Sequence, residues 1–172
     1  MSYFAAVLAR STAGWTGQEL DLDGAEDVDQ VADLIRDAAD DDVRTALLLV
    51  EEDDEYAAIV RVDRDNDEPR VFISDGRAAD SYPIVEILAV AVESARHEDT
   101  DADADSDDDE DAPPGHDSEP LGDAALLTDL GTPARDLLAL CAHEGTLPSD
   151  VISEVCERAG CLDELEALRG PA

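Results

Sequence analysis

The side chains whose spacing is most suggestive of chemistry lie in an acidic run between positions 99 and 110. Five carboxylates fall on positions 1, 3, 5, 7 and 12 of an EF-hand calcium loop; they are Asp99, Asp101, Asp103, Asp105 and Glu110. The loop bends at a glycine in position 6, where this chain has Ala104, and Pro113 and Pro114 stand where a helix should follow. We therefore expect a solvated polyanion that binds ions loosely, not a calcium site.

A zinc site is the second candidate, formed by Cys141, His143, Cys156 and Cys161. Their spacings, C-x-H and C-x4-C, match no common pair of zinc ligands. Cys141 and Cys156 also fall on the apolar stripes of predicted helices, where a cysteine behaves as a small hydrophobic residue. The sequence therefore predicts no metal site.

Motifs of catalysis and of cofactor binding are missing from the chain. A zinc-dependent deaminase would need an H-x-E and a P-C-x-x-C motif, whereas His143 and Glu144 are adjacent and no such cysteine pair occurs. The sequence also lacks a P-loop, a dinucleotide-binding fingerprint and a G-x-S-x-G nucleophile turn. We predict that the protein is not an enzyme and uses no cofactor.

The strongly negative charge of the chain restricts its partners. The 172 residues carry a formal net charge of −35, from 46 acidic residues against 11 basic ones, all of them arginine. A polyanion repels phosphate, which disfavours direct contact with nucleic acid or an anionic membrane and favours a protein partner with a basic surface. Adaptation to a salty cytoplasm would favour the same surface, so both explanations stay open, as does the oligomeric state.

Two apolar stretches bear on the location of the protein. Residues 3–9 follow no cationic segment, and without the polar Tyr3 the apolar run is shorter than the ~7–15 residues of a signal-peptide core. The stretch Ile87–Val92 is far shorter than the ~20 residues that span a bilayer. The three cysteines, an odd number, predict no disulfide framework. These features predict a soluble, cytoplasmic protein.

Residues 1–93 are predicted to form one α+β domain. Tyr3 to Arg10 is apolar on both faces, which is typical of a central strand, and Trp15 to Leu20 would pair with it in a hairpin. Asp27 is the predicted N-cap of a helix, and Gln30 would complete a capping box. Further strands are predicted at Thr45–Val50, Tyr56–Val62 and Val71–Ile73, joined by a turn at 51–54 and a polar loop at 63–69.

A second helix closes this domain, predicted to run from Pro83 to about Ser94. The element order ββαβββα predicts a five-stranded, mainly antiparallel sheet with two helices, in an order like that of roadblock or profilin-like adaptor proteins. The second helix is apolar nearly all round. One of its faces is therefore expected to contact something besides the sheet.

Residues 94–120 have a different composition from the rest of the chain. Twelve of them are acidic, and none is a bulky apolar residue. Such a segment buries too little apolar area to offset its ordering entropy, so we predict a disordered acidic linker. Its densest acidic run is the candidate interaction site, through long-range attraction of a basic partner; that run is Asp107, Asp108, Asp109, Glu110 and Asp111.

Residues 121–170 are predicted to form a small helical module. One helix would be capped by Thr132, open at Pro133 and end at Gly145. A second would open near Pro148 and end at Gly160, which repeats the first pattern fifteen residues later, and a short third helix follows. About fifty residues are marginal for independent folding, so the module is expected to pack on the first domain or on a partner.

Several stretches of the chain are similar to actinobacterial tRNA adenosine deaminase-associated proteins. The resemblance is carried by the segments 2–6, 14–15, 46–56, 70–75, 137–141 with Gly145, and 157–169. It implies association with the deaminase that makes inosine at the wobble position of tRNA. The shared segments are core patterns, so the resemblance implies no catalytic or binding residue.

Three hypotheses follow for function. The leading one is a non-catalytic accessory or adaptor protein that contacts a tRNA adenosine deaminase and so belongs to tRNA modification. The first alternative is a polyanionic mimic of nucleic acid that competes for basic surfaces. The second is a salt-adapted adaptor domain with an unrelated partner.

Overall fold

The sheet is the central element of the computed structural model, which describes residues 3–52, 55–99 and 120–170, with backbone alone for residues 67 and 95–99. Its strands are β1 (Phe4–Ser11), β2 (Gly14–Glu19), β3 (Thr45–Glu52), β4 (Tyr56–Asp63), β5 (Asn66–Ile73) and β6 (Leu121–Gly122). All neighbours are antiparallel, in the order β2-β1-β3-β4-β5-β6. The predicted α+β class is confirmed.

The strand β1 lies inside the sheet, as its sequence pattern predicts. Val7 pairs with Gln18 of β2 on one side and with Leu48 of β3 on the other. Successive side chains of a strand point to opposite faces, so Val7 and Leu48 join the core on one face while Leu8 and Leu49 join the core on the other. A sheet that is apolar on both faces needs a layer of helices on each side.

The first face is covered by α1 (Val28–Ala38) and α2 (Pro83–Asp99). The helix α1 begins at the predicted N-cap, where the Asp27 carboxylate accepts a hydrogen bond from the backbone N–H of Gln30 at 2.8 Å. The Gln30 side chain accepts from the N–H of Glu26, one residue before the position of a strict capping box. Ile35 of α1 and Leu88 of α2 are fully buried against the sheet.

The second face is covered by α3 (Ala134–Ala142), α4 (Pro148–Ala159) and α5 (Leu162–Arg169). The helix α4 packs on β3 and β4, while α5 packs on β1 and β2. Residues of this segment share one apolar core with the sheet; the fully buried side chains among them include Leu126, Leu137, Ile152 and Leu165. The segment 121–170 therefore packs on the first domain rather than standing apart.

Two arginines of the sheet join it to the start of this segment. Arg61 of β4 is only 6% exposed and donates to the Leu126 carbonyl at 2.6 Å and to both carboxylate oxygens of Asp129. Arg70 of β5 donates to Asp123 at 2.6 Å. These side chains tie the second layer to the far end of the sheet.

Four predicted boundaries are wrong. The sheet has six strands, because Leu121 and Gly122 pair with β5. The predicted loop at 63–69 is mostly strand, since β5 begins at Asn66 and forms a tight hairpin with β4. The predicted turn at 51–54 begins too early, because β3 continues through Glu52. The helix α2 runs to Asp99, five residues beyond its predicted end.

The predicted cap and end of α3 are also wrong. Pro133 occupies the N-cap position, and Thr132 is fully buried with its hydroxyl making no hydrogen bond. The reason is the preceding left-handed Gly131 (φ +103°), after which the Thr132 N–H bonds back to the Leu127 carbonyl. The helix ends at Ala142, and Gly145 lies in the turn beyond it.

The division into 1–93, 94–120 and 121–170 stays a prediction, because most of the predicted linker lies outside the described residues. Within the described ranges, no helix is long and apolar enough to cross a membrane.

Candidate docking groove

The acidic run that the sequence singles out, Asp107 to Asp111, lies outside the described residues. The same holds for the EF-hand-like positions 101–110, and Asp99 is the last residue of α2. Both ideas therefore stay at the level of prediction.

The cysteines and His143 lie in the second helical layer. Cys141 of α3 is half-buried, and burial raises the pKa of its thiol to about 11. Cys156 and Cys161 are buried, and a hydrogen bond between them, together with burial, raises the pKa of Cys156. The thiols of Cys141 and Cys156 therefore stay protonated at neutral pH and are poor nucleophiles and metal ligands. In the part of the chain that the structure describes, no cluster of His, Cys, Asp and Glu could hold a metal ion.

A groove with a volume of about 840 Å³ opens on the first face of the protein. It lies between the start of α1, the start of β5 and the outer side of α2. Its lining residues, which we call the acidic groove, are Glu26, Asp27, Val28, Asp29, Glu68, Pro69, Pro83, Glu86, Ile87, Val90, Ala91 and Ser94. The charged residues in this set are all carboxylates, and the others are mainly apolar.

The helix α2 supplies the apolar part of the groove because it has two apolar stripes. One stripe faces the sheet and includes the buried Val85, Leu88 and Val92. The other, Ile87, Val90 and Ala91, follows the i, i+3, i+4 spacing that places side chains on one helix surface. Val90 is 56% exposed, the highest value among the large apolar side chains that the structure describes. Ile87 and Ala91 are half-buried, so the described chain covers this stripe only in part and leaves Val90 exposed.

Five carboxylates give the groove its electrostatic character. Glu26, Asp27 and Asp29 stand at the start of α1, Glu68 on β5, and Glu86 on the first turn of α2. All five are exposed. An apolar stripe beside exposed carboxylates suits a segment that is apolar on one side and basic on the other.

The groove was only partly visible in the sequence. The all-round apolar pattern of α2 predicted an extra contact face for this helix. The acids around it come from positions 26–29, 68 and 86, and no spacing rule links residues so far apart in a chain that is rich in acids everywhere.

Comparison with known proteins gives one match. No curated protein matches the chain, and no solved structure does. A family model described as Rv3753c-like tRNA adenosine deaminase-associated protein matches residues 3–162, which span the whole sheet, the first helical layer, and α3 and α4 of the second. The chain therefore belongs to the Rv3753c-like family of tRNA adenosine deaminase-associated proteins.

Proposed function

We propose that this protein is a non-catalytic accessory protein that binds a tRNA adenosine deaminase through the acidic groove. The description of the family supports the choice of partner. The observation that carries the proposal is the partly covered apolar stripe with the exposed Val90, in a groove whose charged residues are all acidic.

The chemistry of the partner follows from its substrate. An enzyme that binds tRNA needs arginine and lysine to neutralise phosphates, so it offers basic surface to an acidic protein. Opposite charges raise the rate of encounter, while burial of the stripe around Val90 slows dissociation. A second copy of this chain fits the groove poorly, because it would bring the same carboxylates against each other.

The acidic run Asp107–Asp111 is proposed to add long-range attraction to this contact. Its replacement by serine and asparagine should slow association at low ionic strength and leave dissociation nearly unchanged. The difference should shrink at ~0.15 M salt, where the Debye length is about 8 Å.

The test is the affinity of the purified deaminase for Val90→Asp, measured by titration calorimetry. The substitution adds one negative charge, so electrostatic attraction is kept while the apolar contact is lost. We expect affinity to fall about tenfold or more, as for a residue near the centre of an interface. Leu138→Asp is the matched control, because Leu138 is a 41% exposed apolar residue on α3, on the opposite face of the sheet. It should leave affinity unchanged within about twofold.

Two results would contradict the proposal. Equal effects of the two substitutions would show that the groove is not the contact surface. If a synthetic peptide of residues 94–120 displaces tRNA from the deaminase as efficiently as the whole chain does, the polyanion suffices, which is the mimicry alternative.

A further inference from the structure

A second, smaller cavity of about 290 Å³ lies beside the acidic groove, at the N-terminal end of α2. The two cavities share Pro83 and Ile87. Its polar lining comes from Tyr3, Asp23, Glu52, Ser81 and Tyr82, and we call it the tyrosine pocket. Its volume is at the lower limit of the ~300–1,000 Å³ typical of small-molecule sites, which suits one side chain better than a cofactor.

The tyrosine pocket contains a buried carboxylate. Glu52, the last residue of β3, is only 7% exposed, and no arginine of the described ranges forms an ion pair with it. A buried charge without a counter-charge is costly. A cation that entered the pocket would therefore gain more there than at any of the exposed carboxylates around it.

Aromatic rings and a buried hydroxyl lie beside this carboxylate. The rings of Tyr56 and Tyr82 are in contact, with centroids 5.0 Å apart and planes tilted by 48°. The Tyr56 hydroxyl is buried with no hydrogen-bond partner among the described residues. Tyr3 closes the other side, where its hydroxyl accepts from the Leu22 N–H at 3.2 Å. Tyrosine faces and a carboxylate together are the chemistry that recognises an organic cation.

We propose that the tyrosine pocket binds the guanidinium group of an arginine side chain. Guanidinium is favoured over ammonium because it is planar, stacks on aromatic rings, is weakly hydrated and pairs with a carboxylate through two parallel hydrogen bonds. The arginine belongs to the partner segment that occupies the acidic groove. This assignment of its source rests on the proposed function, whereas the preference of the pocket for guanidinium is independent of it.

The test uses N-acetyl-L-arginine amide as the probe, followed by NMR of the protein with ring-labelled tyrosine. The chain has three tyrosines, and all three lie in or against the pocket, so every labelled signal reports on it. We expect saturable shifts with the arginine probe at ~0.15 M salt, where exposed charges are screened. The neutral analogue N-acetyl-L-citrulline amide should cause none, and N-acetyl-L-lysine amide should bind more weakly.

Glu52→Gln should lower the affinity for the arginine probe about tenfold or more, because the pocket loses its buried carboxylate but keeps its shape, and its other acidic lining residue, Asp23, is exposed to water. Glu166→Gln, on the exposed side of α5, makes the same charge change elsewhere and should have no effect. Equal shifts with citrulline, or equal effects of the two substitutions, would overturn the inference. If the arginine probe does not bind but Val90→Asp strongly weakens deaminase binding, the arginine pocket is refuted and the proposed groove contact is supported. If the probe binds but Val90→Asp has no effect, the groove contact is refuted and the arginine pocket is supported.

Discussion

Replacement of Arg61 by alanine should loosen the second helical layer from the sheet. The guanidinium group donates to Leu126 and Asp129 of the following segment and to Asp63 of its own strand. Arg61 is nearly buried, whereas the Asp129 side chain is 61% exposed and the Asp63 side chain 23%. The three partners therefore differ in what they lose when the arginine is removed.

The magnitude follows from the fate of each partner. Loss of the charge-assisted bond to the Leu126 carbonyl costs about 1.5–3 kcal/mol. Without Arg61, the Asp129 carboxylate is hydrated, and Asp63 keeps its 2.8 Å hydrogen bond from the Thr45 hydroxyl. Loss of the two ion pairs with Arg61 therefore adds only about 0–1 kcal/mol. We expect Arg61→Ala to lower the free energy of unfolding, measured by urea denaturation, by about 1.5–4 kcal/mol.

Arg70→Ala is the matched control, because it removes the same charge at the same junction. Arg70 and Asp123 have side chains that are 34% and 40% exposed, so their pair should contribute about 1 kcal/mol or less. A thiol reagent gives an independent measure, since Cys156 and Cys161 are buried in the second layer. Their modification should be about tenfold faster or more in Arg61→Ala if the layer opens locally. Equal and small effects of the two substitutions would refute the reasoning.

Two further predictions concern single residues. Gly122→Ala should destabilise the protein by about 2 kcal/mol or more in urea denaturation, because a Cβ at this left-handed residue would clash with the Val71 carbonyl oxygen. Gly24→Ala is the control: Gly24 is also left-handed but has open space around it, so the substitution should cost only about 1 kcal/mol. Equal costs for the two substitutions would contradict the clash. Tyr56→Phe should leave stability unchanged or raise it by about 1 kcal/mol, because the hydroxyl has no described partner. Burial and the Glu52 carboxylate raise the pKa of Tyr56, so the folded state still holds this proton at a pH where the unfolded state has released it. The free energy of unfolding should therefore fall as the pH rises past about 10, and it should fall less steeply in Tyr56→Phe. Denaturant titrations at several pH values measure both slopes.

The sequence by itself determined the local elements and the family. The apolar residues on both faces of Tyr3–Arg10 predicted an inner strand, and Asp27 predicted the start of α1 to the residue. These features depend on neighbours in the chain, where side-chain period and capping chemistry act directly. The resemblance to the deaminase-associated family, which rested on core segments of both layers, is confirmed by the match over residues 3–162.

The tertiary structure alone decided where the chain uses its charges. Glu52 belongs to an acidic run that predicted an exposed turn, yet the strand continues through it and buries it beside tyrosines from three separate segments. The two-residue strand Leu121–Gly122 has no periodic pattern and exists only because it meets the edge of β5. The acids around Val90 likewise meet only in the folded chain. In a sequence with 46 acidic residues, spacing does not distinguish an exposed carboxylate from a buried one. The difference depends on burial and on contacts between segments that are distant in the chain.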